Sequence, residues 1–103
     1  MLNDALAELV AEERGATLEL TVNNHPGVMS HICGLFSRRA YNLEGIVCLP
    51  EGDGTTSRMW LRVNEHAKLQ QVMRQVEKLP DVLALVHHPA EHEIFSLVGR
   101  FTA

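Results

Sequence analysis

No run of about 18 apolar residues occurs in the chain, so no membrane-spanning helix is expected. Basic residues are outnumbered: 9 Lys and Arg stand against 13 Asp and Glu, a formal net charge of −4. That balance removes the electrostatic case for nucleic acid or an anionic membrane surface. Aromatic residues are scarce, at one Trp, one Tyr and three Phe. An RNA-binding sheet stacks bases on aromatics of its central strands, and only Trp60 is available for that. Cysteine is limited to Cys33 and Cys48, too far apart for a Cys-x-x-Cys site, and both read as inert buried thiols in a reducing cytoplasm. The start, Met1-Leu2-Asn3-Asp4, lacks the basic stretch and apolar run of a secretory leader. Short-period repeats and low-complexity tracts are absent as well. A length of 103 residues points to one domain with a modest core, which would gain from dimerising.

Apolar periodicity supplies the positive signal. Residues 2–14, within an N-terminal extension of residues 1–15, carry Leu2, Leu6, Leu9 and Val10 on one face of what is expected to be either a short docked helix or a frayed, disordered segment. A strand is expected over 17–23 and a helix over 28–40, striped by Val28, Ile32, Leu35, Phe36 and Ala40. Arg38-Arg39 then sit at the negative helix end, where cations are favoured. The next strand, 43–49, is apolar almost throughout (Ile46, Val47, Cys48, Leu49), as a central strand would be. Pro50-Glu51-Gly52-Asp53-Gly54 is a turn. It leads to a strand over 57–63, with Met59, Leu61 and Val63 on one face and Arg58, Trp60 and Arg62 on the other. A second helix is expected over 65–79, stopped by Pro80. A last strand follows at 81–88, with Val82, Ala84 and Val86 on one face and Leu83 and Leu85 on the other. The tail, 89–103, adds an apolar run of Ile94, Phe95, Leu97, Val98 and Phe101.

The order βαββαβ over residues 16–88 is the α+β, ferredoxin-like plan: a four-stranded antiparallel sheet with two helices on one face. That fold hosts many functions, so the site must decide between them. Asn23-Asn24-His25-Pro26-Gly27-Val28 joins the first strand to the first helix. Pro suits the start of a helix, Gly lets backbone approach a ligand, and the free N–H groups of the first turn favour an anion. Asn24 adds an amide that both donates and accepts. The combination suits a small carboxylate such as a free amino acid. An acylphosphatase-like hydrolase would need an Arg in this loop, and none is there. His87, His88 and His92 do not make a convincing metal set, because adjacent strand residues point to opposite faces. No general base, nucleophile or phosphate loop is assembled, which argues against an enzyme.

Asn-His-Pro-Gly-Val-Met, followed by Gly34-Leu35-Phe36-Ser37-Arg38-Arg39-Ala40-Tyr41-Asn42-Leu43-Glu44-Gly45-Ile46, resembles an ACT domain. More narrowly, it resembles the small regulatory subunits of acetohydroxyacid synthase (acetolactate synthase), in their short, isozyme I form. The similarity runs over about residues 17–88, through Cys48-Leu49-Pro50, Trp60-Leu61-x-Val63-Asn64 and Leu79-x-Asp81-Val82. It implies a subunit without an active site or cofactor of its own. Such a subunit stimulates the catalytic large subunit, which carries thiamine diphosphate, Mg²⁺ and FAD, and imposes feedback inhibition by valine and, less strongly, isoleucine. It also implies a homodimer with side-by-side sheets and an effector at the seam. A free-standing ACT amino-acid sensor with another client protein is the alternative.

Carried over residue by residue, the effector contacts fall on Asn24, Gly27 and Val28 of the first loop and helix start and on Asn42 at the start of the second strand. The backbone N–H groups of Gly27, Val28 and Met29 suit the carboxylate. The oxygens of Asn24 and Asn42, from opposite chains, suit the ammonium. Met29, Ile32 and Ile46 are the apolar groups expected under the branched side chain. His25 is expected to order the loop, and His31 to be a surface residue. Trp60, between Arg58 and Arg62 on the face away from the helices, is expected to be exposed. Either that face or the tail would then meet the catalytic subunit, unless a tail strand or the N-terminal helix covers it.

Overall fold

The computed structural model describes residues 16–64, 68–88 and 93–101. The helix expected over 2–14, the start of the second helix at 65–67, and Pro89 and His92 lie outside the described residues. The elements run β1 (Ala16–Asn23), α1 (Val28–Arg38), β2 (Leu43–Glu51), β3 (Thr56–Val63), α2 (Leu69–Glu77), β4 (Val82–His88) and α3 (Glu93–Gly99). The sheet order is β2-β3-β1-β4, antiparallel throughout. This is the expected plan.

Strict alternation in β1 and β3 builds the core. Leu18, Leu20 and Val22 lie beside Leu61, Met59 and Ser57 in register, so their side chains share one face. Against that face pack Val28, Ile32, Leu35 and Phe36 of α1 and Leu69, Val72 and Val76 of α2, all in one buried cluster. Full burial of each such side chain stabilises by roughly 1.5–3 kcal/mol. α1 ends at Arg38, two residues short of expectation, because Ala40 takes a left-handed backbone with φ 55°. The Ala40 N–H then donates to the Ser37 carbonyl (3.2 Å) and the Tyr41 N–H to that of Phe36 (3.0 Å). That pair of bonds is a Schellman closure.

Two strands depart from the sequence reading. β2, which reads as central, is an edge strand. Ile46 and Cys48 pack against the core, while Val47 and Leu49 face the other side beside Trp60 and Arg58. An edge with apolar groups on both faces has the pattern of a strand flanked on both sides. In β4, a bulge falls between Val82 and Ala84, opposite Thr21/Val22. A bulge inverts the inward-outward count beyond it. Val82 and Leu85 therefore face the core together, whereas Ala84 and Val86 face away and Leu83 is exposed.

The far face of the sheet is polar at its centre. Arg58 bridges Glu51 (3.0 Å) and Glu19 (2.7 Å), and His88 Nε2 lies 2.9 Å from the other oxygen of Glu19. Burial works against the Glu19 charge, but hydrogen bonds from His88 and Arg58 outweigh it and hold the carboxyl below its ordinary pKa. His88 is thus engaged with a carboxylate on its own sheet.

The tail forms α3 on this face. A Cβ at Gly45 would lie 3.0 Å from the Phe95 ring and 3.6 Å from the Cβ of Arg62. Gly45 is therefore the gap into which Phe95 packs. Trp60 lies on the same face, as expected from its register, but it is half-buried and not the exposed ring anticipated. The chain's own tail reaches this side of the sheet.

Candidate functional site

β1 delivers the Asn23–Gly27 loop to the end of the sheet where the β2–β3 turn also lies. Asn24 is held there twice: its N–H donates to the Thr55 carbonyl (3.0 Å) and its Nδ2 to the Gly54 carbonyl (2.8 Å). The turn is itself rigid, because Asp53 accepts from the N–H and hydroxyl of Thr55 (3.0 and 2.7 Å). With Nδ2 engaged by the Gly54 carbonyl, Oδ1 is the acceptor end of the Asn24 amide.

Gly27 is the N-cap of α1, in a left-handed conformation with φ 91°. That backbone is available to glycine without strain. No side chain caps the helix, no acidic residue lies in its first turn, and a Cβ at Gly27 would meet nothing within 4 Å. There is thus open space beside Gly27 at the positive end of the helix, where the Val28 N–H donates to the His25 carbonyl (3.3 Å). Val28 beyond it is buried in the core, so only its backbone is at the surface end of the site, whereas the Met29 side chain is 41% exposed.

The loop is pinned to the approach of β4. The Asn23 N–H donates to the Asp81 carbonyl (2.9 Å). His25 Nε2 lies 2.7 Å from Asp81 Oδ2, and His31 Nδ1 lies 3.6 Å from the same oxygen. His25 Nδ1 lies 2.6 Å from the Pro26 carbonyl. With an acceptor at each ring nitrogen, only the imidazolium satisfies both. The Pro26 carbonyl first, and then Asp81, accordingly raise the His25 pKa above its ordinary value. The hydrogen bond from His25 lowers that of Asp81. Asp81 was not singled out as a loop anchor, and no local pattern marks it. Among the described residues, no group of three His, Cys, Asp or Glu is arranged to hold a metal ion.

The remaining candidates divide. Asn42 is exposed, just ahead of β2, and its Nδ2 lies 3.5 Å from Glu44 Oε1. Ile46 is half-buried on the helix-side face of the edge strand. Ile32 does not fit the ligand-facing role: it is 1% exposed and belongs to the core, because it falls on the centre of the α1 stripe.

Asn24 and Asn42 are not neighbours within one chain. Asn23 is level with Thr56 and Glu51 at one end of the sheet, and Leu43 is level with Val63 and Ala16 at the other. A strand of that length separates the two ends by about 23 Å. A single chain thus holds these two asparagines at opposite ends of its sheet.

A family model described as the AHAS small subunit-like ACT domain matches residues 18–84. The acetolactate synthase isozyme 1 small subunit of Escherichia coli K12 is 49% identical over 84 residues, 82% of this chain and 88% of that protein. The isozyme 3 small subunit of the same organism is 40% identical over 67 residues, 64% of this chain and 41% of that protein. Among solved structures, the acetolactate synthase small subunit from Thermotoga maritima superposes with a TM-score of 0.64 at 25% identity, covering 84% of this chain and 67% of that one. The ACT domain of a Chlorobium tepidum GTP pyrophosphokinase shares the fold, with a TM-score of 0.53 at 22% identity over 70% of this chain and 94% of that one.

Proposed function

The chain belongs to the family of acetohydroxyacid synthase small-subunit ACT domains, and from that premise we propose that it is the regulatory, non-catalytic subunit of a cytoplasmic acetolactate synthase. It binds valine, and more weakly isoleucine, and thereby couples the level of end product to the activity of a catalytic large subunit. Thiamine diphosphate, Mg²⁺ and FAD belong to that partner in this reading. Feedback of this kind is a coupling free energy, typically about 1–3 kcal/mol.

The observation that carries the proposal is the pairing of two half-sites with an incomplete edge. β2 has apolar groups on both faces yet stands at the edge of the sheet. Pairing two β2 edges about a two-fold axis would make one eight-stranded sheet and complete that strand's surroundings. The same axis sets the Asn42 end of one chain beside the Asn24 end of its partner. One amino acid then lies between an uncapped helix start and two amide oxygens. The helix start takes the carboxylate, and the two oxygens take the ammonium. A 2-oxo acid with the same side chain offers those oxygens no donor, and a site built to hydrogen-bond a group rejects the analogue that lacks it. One methylene changes affinity by only about 1–3 kcal/mol, so isoleucine and leucine should also bind.

Calorimetric titration with valine, isoleucine, leucine and 2-oxoisovalerate tests this. Valine should bind and 2-oxoisovalerate should not. Asn24→Ala and Asn42→Ala should each weaken valine by about tenfold or more, as loss of a hydrogen bond to a charged group implies. A mixture of the two variants should regain valine binding, because each mixed dimer contains one site with both asparagines intact. Absence of heat and of thermal stabilisation with valine would end the effector reading. Absence of regain in the mixture would end the shared-site geometry.

A further inference from the structure

The loop that carries Asn24 and Gly27 is tied at two points, and the helix after it at a third, to one residue far along the chain. Asp81 accepts the Asn23 N–H on its carbonyl at 2.9 Å. Its carboxylate oxygen Oδ2 meets His25 at 2.7 Å and His31 at 3.6 Å. The two imidazole rings stand edge to face, 6.3 Å apart. Asp81 is itself held by the corner between α2 and β4, where the Leu79 N–H donates to the Val76 carbonyl (3.1 Å) and the Val82 N–H to the Leu79 carbonyl (3.0 Å). The second crossover of the fold thus holds both the loop and the first turn of the helix in the first crossover.

We infer that Asp81 is the positioning residue of the effector site, holding His25 as an imidazolium against the Pro26–Gly27 turn and so setting the pH range over which the site takes an amino-acid carboxylate. This rests on the effector reading above and adds a residue and a regulation to it. The groups around His25 are Asp81 from the approach to β4, His31 from α1 and the Pro26 carbonyl of the loop itself. The β2–β3 turn, which holds Asn24, adds Asp53, whose carboxylate is engaged by Thr55. When His25 loses its proton, one of its two hydrogen bonds is lost, and the negative charge of Asp81 beside the site is no longer balanced by a cation on His25. Both changes weaken carboxylate binding. Affinity for valine, which stays zwitterionic across the neutral range, should therefore be highest on the acid side of the histidine range and fall as pH rises.

The test is calorimetric titration of valine into the full chain from about pH 5 to about pH 8. The wild type is compared with Asp81→Asn, His25→Gln and His31→Gln, with melting curves for each. Asp81→Asn should lower affinity at neutral pH by about three- to tenfold and move the inflection to lower pH, with affinity recovering at the acid end. A merely structural role would lower affinity at every pH and leave the inflection in place. His25→Gln should abolish the inflection, and His31→Gln should shift it only slightly. If Asp81→Asn fails to fold, His25→Gln decides, since its side chain lies on the loop surface. An unchanged inflection in either folded variant, with valine bound by the wild type, overturns the inference. A wild type that does not bind valine at any pH removes the effector reading instead.

Discussion

The two ends of α1 use the same backbone device for opposite purposes. Each end has a left-handed residue, Gly27 at the start with φ 91° and Ala40 just past the finish with φ 55°. At the finish the helix closes on itself. Its last carbonyls accept from Ala40 and Tyr41, Arg39 donates to Gln75 of α2 at 3.1 Å, and the Lys68 ammonium sits over the Tyr41 ring. At the start there is no side-chain cap, no acidic residue in the first turn, and open space above Gly27. The Val28 N–H donates to the His25 carbonyl (3.3 Å), and the first-turn N–H groups left over need partners from water or from a ligand. The closed end is a packing solution, and the open end is the one the proposed effector would use.

The sharpest way to break this contrast is to put a β-branched residue at the open end. Gly27→Val forces a side chain into a left-handed turn, at about 2 kcal/mol. The space above Gly27 is empty, so the penalty should come from the backbone and not from a clash. Thermal unfolding should register that loss, and valine should no longer raise the melting temperature. A variant that melts with the wild type would mean that the turn does not depend on a left-handed residue. The contrast with Ala40 would then disappear.

The closed end should respond in the opposite sense. Ala40 carries a Cβ in a conformation that glycine adopts without strain, and its Schellman bonds do not involve that Cβ. Ala40→Gly should stabilise the fold by about 0.5–1 kcal/mol, after allowing for the greater freedom of glycine in the unfolded chain. That is a rise of a few degrees in Tm for a domain of this size. Valine affinity should be unchanged, since the variant relieves strain without moving Asn42. A fall in affinity would instead mean that the strained Ala40 turn aims Asn42, two residues on.

These two ends also show what a sequence reveals of a fold and a site. Residues that act through local periodicity were legible: the α1 stripe, the alternation of β1 and β3, and the Pro-Gly start of α1. Features that depend on distant chain were not. β2 reads as central because its side chains are apolar on both faces, but edge or centre depends on what pairs beside it, which no local pattern encodes. The bulge in β4 breaks a period-two count without any Gly or Pro to announce it. Ile32 was assigned to the ligand from its closeness to the loop, although its place at the centre of the helix stripe already put it in the core. Ala40 lacks the glycine that ordinarily signals a left-handed C-cap. Asp81 meets His25 only after the second crossover has returned to the sheet. The left-handed Gly27 at the helix start could therefore be anticipated from sequence, whereas the Asp81 contact to the loop could not.

The smallest expected effect separates the two ends by pH. The His25 pKa is raised in the folded chain, by the Pro26 carbonyl first and by Asp81 next. A group with a raised folded pKa stabilises fully below its unfolded pKa, and that contribution is lost as pH rises through the folded value. The loss should thus begin near the ordinary histidine range and be complete above the raised one. The pair is solvent-exposed, so the change in global stability should be slight. Locally it should be visible. Amide hydrogen exchange, corrected for its intrinsic pH dependence, should lose protection in the first turn of α1 as pH rises through this range. Protection of Ala40 and Tyr41 should stay constant, because the finish of the helix is held by backbone carbonyls and by the Arg39–Gln75 hydrogen bond, away from His25. Equal loss at both ends would mean that the helix opens as a unit, and the open end would then have no independent response to pH.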